Sequence, residues 1–392
     1  TARRPNAVMR TNAKPYQAAG STDRPQAPAT AGGLPPPWRV PLLMLGFLGL
    51  IVGAGAGLAR LGWSMPAVAA SASALHGPLM ICGFFGVVIS LERAVAIGRT
   101  WAYLGPLLAG AGGAATVAGA GWLAPWLFLG GGLVLLAASL DVYRRQTALF
   151  TFTLALGAAC WPVGIALWAA GAAVHEIVTW WLAFLILTIA GERLELSRFL
   201  PPSPVARGAF AAILTVIVIG LFGALRPWGG LVFAIGLLAL AVWLFKQDIA
   251  RRTVRGKGLT RFIAVCLLSG YAWLAVGSAI IVFEGGLAPG SPAYDAALHA
   301  LTLGFVFAMV FGHAAIIFPA VLRVAVPYHP TFYVPLLLLH LSLAVRLSGD
   351  ALGDFALTRV GGLLNAVALA AFILGTASAV VRGARARSGA QR

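Results

Sequence analysis

From Val40 onward the chain is a succession of apolar runs separated by short segments that hold Pro, Gly or charge. Each run is close to the roughly 20 residues that an α-helix needs to cross a hydrocarbon core. The runs fall at 40–59, 69–91, 101–119, 122–140, 148–171, 175–191, 206–225, 228–245, 260–284, 294–322, 331–347 and 357–381. They predict an all-α polytopic membrane protein of about twelve transmembrane helices. Residues 1–37 are rich in Ala, Pro, Arg and Thr and lack both apolar periodicity and the apolar core of a signal peptide. They are expected to form a disordered basic cytoplasmic tail ahead of a membrane domain at 38–382, with a second basic cytoplasmic tail at 383–392.

Composition strengthens this reading. A chain that is 60% hydrophobic and 10% charged, with mean hydropathy +0.90, is too apolar for a soluble domain. The net charge of +17 would suggest nucleic acid in a soluble protein, but membrane proteins gather Lys and Arg in cytoplasmic loops. With the N-terminus inside, the twelve spans place 24 of the 28 Lys and Arg residues on the inner side. Only Arg60, Arg226, Arg346 and Arg359 fall outside. This segregation favours both termini in the cytoplasm and the lipid bilayer, not nucleic acid, as the partner. Cys82, Cys160 and Cys266 all lie inside apolar runs without C-x-x-C spacing and read as packing residues.

Histidines then change the picture. At 1.5 Å per residue, His76, His175 and His299 fall near the outer ends of the second, sixth and tenth helices, each four helices apart. His76 is followed by Glu92-Arg93 and His175 by Glu192-Arg193 at the inner ends, which suggests three pseudo-repeated four-helix units, although the tenth helix keeps only Arg323. His313 lies 14 residues beyond His299, roughly 21 Å along the same helix, and His340 in the eleventh helix reaches a similar depth. Two candidate ligand pairs follow, an outer one from His76 and His299 and an inner one from His313 and His340.

Buried ionisable groups in a membrane are costly and tend to mark a cofactor, a proton path or a substrate path. Neutral imidazole is a common metal ligand and a usual axial ligand of haem iron. Gly77, Gly83, Gly86 and Gly304 would leave room for a flat macrocycle, and Phe84, Phe85, Phe305 and Phe307 would wall it, which fits haem b. Interhelical hydrogen bonding is the plainer reading of any single histidine. His175, beside Glu176 at the membrane edge, reads as a metal ligand with His76 and His299 or as solvated loop polarity, and His329 reads as solvated. Glu92 and Glu192 read as ion-paired helix ends, with Arg snorkelling to the interface, or as a proton entry path. The absence of C-x-x-C-H excludes covalent c-type haem in this chain, and no G-x-x-x-x-G-K loop is present for ATP.

The run H-G-P-L-M from His76 to Met80 and H-A-L-T-L-G from His299 to Gly304 resemble motifs of the haem-copper oxidase subunit I superfamily, and more closely those of the NnrS family of haem and copper membrane proteins. That resemblance implies twelve helices, axial haem ligands from the second and tenth, and a role in nitric oxide response or respiratory electron transfer in a bacterial inner membrane. It also implies copper as a second cofactor, an oxidoreductase if the chain is an enzyme, and nitric oxide, an electron donor or respiratory subunits as partners. Departures are clear: residues 206–225 contain no histidine for an oxygen-reducing copper site, and the tenth helix lacks H-x-H. A transporter or channel that uses the histidines as a proton or metal-ion path, with a helix break near Gly312 and Pro319, is the competing expectation. A noncatalytic membrane subunit of a respiratory complex is the third.

Overall fold

The computed structural model describes residues 33–196 and 203–390, with side chains described to residue 387. The expected N-terminal tail therefore lies, apart from its last five residues, outside the described residues. All regular structure among the described residues is helical. The principal helices are α1 (Pro36–Arg60), α2 (Ser73–Ile97), α3 (Leu104–Val117), α4 (Ala124–Arg145), α5 (Leu149–Ala169), α6 (Val174–Leu196), α7 (Pro204–Phe222), α8 (Gly229–Gln247), α9 (Gly258–Phe283), α10 (Pro292–Leu322), α11 (Tyr333–Leu352) and α12 (Phe355–Ala390).

Eleven of these are long and apolar enough to cross a membrane. The exception is α3, whose expected span at 101–119 is divided into a 3-10 turn at Thr100–Tyr103 and a helix of 14 residues. Gly119, at φ +79, ends it in a conformation that glycine adopts without steric cost. At the C-terminus α12 continues as helix to Ala390, through most of the segment expected to be a tail.

Helix ends follow local chemistry. Ser203 and Ser291 accept hydrogen bonds from the amides of Ala206 (3.2 Å) and Tyr294 (3.1 Å), and each is followed by a proline in the first turn. Gly98 and Gly353 close α2 and α11 in the left-handed conformation. The pairs α5–α6, α7–α8 and α11–α12 pack as antiparallel hairpins. Helix α6 is the central pillar, with every residue from Ile177 to Gly191 buried.

Helices α2 and α10 depart from regular α geometry at matching places. In α2 a 3-10 turn at Ser73–Leu75 leads into His76, and residues Leu79–Phe85 are π-helical. In α10 the π-helical stretch Ala300–Phe307 begins directly after His299. The widened turn is rare and recurs at functional sites. No break occurs at Gly312 or Pro319, which lie in the regular helix Ala308–Leu322, with Gly312 packed against Cys266. The discontinuity expected of a transporter is absent there.

Candidate functional site

His76 enters the bundle at the joint between a 3-10 turn and the π-helical part of α2. Its Nδ1 lies 2.7 Å from the carbonyl oxygen of Gly53 on α1. Gly57, one turn along α1, makes this approach possible: a Cβ there would sit 2.9 Å from two atoms of the imidazole. On α10, His299 Nδ1 lies 2.8 Å from the carbonyl oxygen of Asp295, one turn earlier. A carbonyl oxygen can only accept, so in both residues Nδ1 is the protonated donor, and in the neutral ring Nε2 keeps its lone pair. Neither Nε2 has a hydrogen-bond partner among the described residues.

The two rings lie 6.3 Å apart, centre to centre, with planes 18° from parallel. This separation lies at the long end of the range for offset-stacked rings. Two imidazoles bound on opposite sides of one metal ion through nitrogen bonds of about 2.0 Å would have ring centres roughly 6 Å apart, once each ring's own radius is added. The donor pattern is also that of a metal-ligating histidine, which commonly donates its second ring N–H to a carbonyl or carboxylate.

Both histidines line one cavity of about 500 Å³, bounded by α1, α2, α6, α10, α11 and α12. The volume falls within the range of cofactor sites. Leu182, Leu298, Leu303 and Ile81 make its walls apolar, and Met80 adds a thioether. Its floor is aromatic: Phe85 and Phe307 line it, with ring centres 5.1 Å apart, and Phe84 stacks on Phe307 at 5.9 Å and 4°. Phe84 and Phe307 each stand eight residues after their helix's histidine, so α2 and α10 face each other in two layers, one of imidazoles and one of phenyl rings. Arg60, His175 and Gly290, all exposed, form the rim.

Several expected features are corrected. Of the four glycines expected to make room for a macrocycle, only Gly77 borders the cavity. The space beside Gly86 is taken by Trp161 and that beside Gly304 by Trp273, while Gly83 lets the backbones of Gly49 and Gly113 approach. Phe305 turns toward Tyr271 on α9, not into the cavity. His175 stands at the rim in the first turn of α6, where Glu176 caps the helix by accepting from the Ala173 amide at 2.7 Å. No cluster of three or more His, Cys, Asp or Glu side chains able to hold a metal ion occurs among the described residues, so the set His76, His299 and His175 does not form one.

In the inner pair every ring nitrogen has a protein partner. His313 Nδ1 lies 2.7 Å from the Met309 carbonyl, and its Nε2 is engaged by Arg193 at 3.1 Å. His340 accepts from Trp273 Nε1 at Nδ1 (3.0 Å), and its Nε2 lies 2.9 Å from the Ser269 hydroxyl. Each ring is fully engaged, and by different neighbours. His329 lies on the surface with Thr331 as its local partner.

Sequence reasoning missed the buried network around His313. Arg193, 5% exposed, does not snorkel outward but donates to Asp248 at 2.8 Å, and Tyr271 donates to the same carboxylate oxygen at 2.7 Å. The other Asp248 oxygen accepts from the Ala250 amide at 2.7 Å. The signal was present: Asp248 is the lone acid in the basic stretch 246–261. Glu192 lies within electrostatic reach of Glu92 and Arg93, so the C-terminal ends of α2 and α6 come near one another.

Eleven helices long and apolar enough to cross a membrane among the described residues, with two imidazoles lining one largely apolar cavity, define a polytopic membrane protein with a candidate two-histidine site. The chain belongs to the family described as domain of unknown function DUF8744, whose model matches residues 39–381. No curated protein matches it.

Proposed function

We propose that this protein is a b-type haem protein of a bacterial inner membrane, serving respiratory electron transfer, with His76 and His299 as the two axial ligands. The reading rests on one observation: two cavity-lining imidazoles 6.3 Å apart, each committed at Nδ1 to a carbonyl and unpartnered at Nε2. The walls beside the two rings are mostly apolar, and Arg60 and Arg346 are the cations that border the cavity. Bound haem would supply a one-electron couple at its iron. Haem held by both imidazoles would have no position left for nitric oxide, which favours electron transfer over nitric oxide capture. The resemblance to the haem-copper oxidase superfamily and the NnrS family, the three-fold repeat, both termini in the cytoplasm and an electron donor or respiratory subunit as partner belong to the same proposal.

Purified protein is expected to carry haem b in near one-to-one ratio and to give sharp reduced-minus-oxidised bands. A second reading, a copper-ion site, draws on Met80 in the same cavity, because thioether and imidazole ligands suit copper. Copper without porphyrin in the purified protein would favour it, and a colourless, metal-free protein would refute both.

A further inference from the structure

The two imidazoles have different surroundings. His76 Nδ1 meets one neutral acceptor, the Gly53 carbonyl, and among the charges acting on this ring are the cations Arg346 and Arg60. His299 Nδ1 meets both the backbone oxygen of Asp295 at 2.8 Å and its carboxylate Oδ1 at 3.4 Å. That carboxylate is held in place from α11: Arg346 Nε donates to Oδ2 at 2.8 Å and a second guanidinium nitrogen to Oδ1 at 3.0 Å. Paired, planar contacts of this kind fix orientation as well as distance. Asp350 also carries a carboxylate in this region, but it receives the Thr358 hydroxyl at 2.9 Å and makes no bond to His299.

We infer that Asp295, clamped by Arg346, is a positioning residue for His299 that makes it the more strongly donating of the two imidazoles. The inference rests on the haem reading above. A carboxylate beside Nδ1–H strengthens that hydrogen bond and raises the basicity of Nε2, which favours the more highly charged state of a bound metal. Arg346 offsets part of this charge. Removing the carboxylate and removing its cation should therefore shift a reduction potential in opposite directions.

The test is a potentiometric titration of the full chain in detergent, with wild type beside Asp295→Asn, Arg346→Gln and Asp350→Asn. Asp295→Asn is expected to favour reduction about tenfold, equivalent to about 59 mV for a one-electron couple, and to alter the low-spin electron paramagnetic resonance signal. Arg346→Gln should shift the potential downward, and it keeps the inference testable if Asp295→Asn does not fold. Asp350→Asn should shift the potential upward by less, with an unchanged resonance signal. Equal shifts in the two aspartate variants, or none in Asp295→Asn, would overturn the inference while leaving the haem reading intact. Wild-type protein without haem would overturn both.

Discussion

The two histidine pairs of this bundle are matched in residue type and in helical placement, yet the structure treats them differently. His76 and His299 each use one ring nitrogen on a backbone carbonyl and present the other to a shared cavity. His313 and His340 use both nitrogens, on Met309 and Arg193 in one case and on Trp273 and Ser269 in the other. Depth in the sequence cannot separate these cases; hydrogen-bond accounting can. An Nε2 without a protein partner on a ring that lines a built cavity is free to bind a ligand, whereas a ring with both nitrogens engaged is committed to helix–helix packing.

This contrast can be broken most severely at the ligand pair itself. His76→Ala or His299→Ala is expected to lower haem content at least about tenfold, measured as haem per protein, whereas His313→Ala and His340→Ala should retain it. Equal losses in all four variants would erase the distinction. Next in size is the network beneath: Asp248→Ala strands the Arg193 guanidinium in a buried position and is expected to cost about 3–5 kcal/mol, seen as a lower Tm in detergent with haem content per folded protein unchanged. A smaller effect tests the fit of one ring. Gly57→Ala places a Cβ 2.9 Å from the His76 imidazole, and a several-fold weaker hold on haem with little change in Tm is expected. The mildest is His340→Phe, which removes the bonds to Trp273 and Ser269 at a cost of roughly 1–3 kcal/mol and leaves the optical spectrum unchanged.

How much of this was legible follows from what each feature depends on. Helix positions depend on local hydropathy, and the expected spans agree with the observed helices to within a few residues at most ends. The third falls short because Thr100–Tyr103 folds as a 3-10 turn, a local choice that an apolar average does not register. That His76 and His299 meet was readable from depth and pairing. Their π-helical continuations were not, because a shift to i→i+5 bonding reflects packing between helices more than residue type. The glycines misled for a related reason: Gly86 and Gly304 are small because Trp161 and Trp273 occupy the space beside them. Charged residues counted only for topology hid the rest. Arg346, an exception to the inside rule, clamps Asp295, and Arg193, assigned to a helix end, is buried against Asp248.

The most direct test of the account is an electron paramagnetic resonance spectrum of the oxidised purified protein, compared with that of His76→Ala. The account predicts a single low-spin haem signal with the rhombic form given by two imidazoles in near-parallel planes, converted in the variant to high-spin or lost. A haem-free wild-type protein, or a wild-type signal that is high-spin and unaltered by the substitution, would contradict the claim that His76 and His299 hold one cofactor between them.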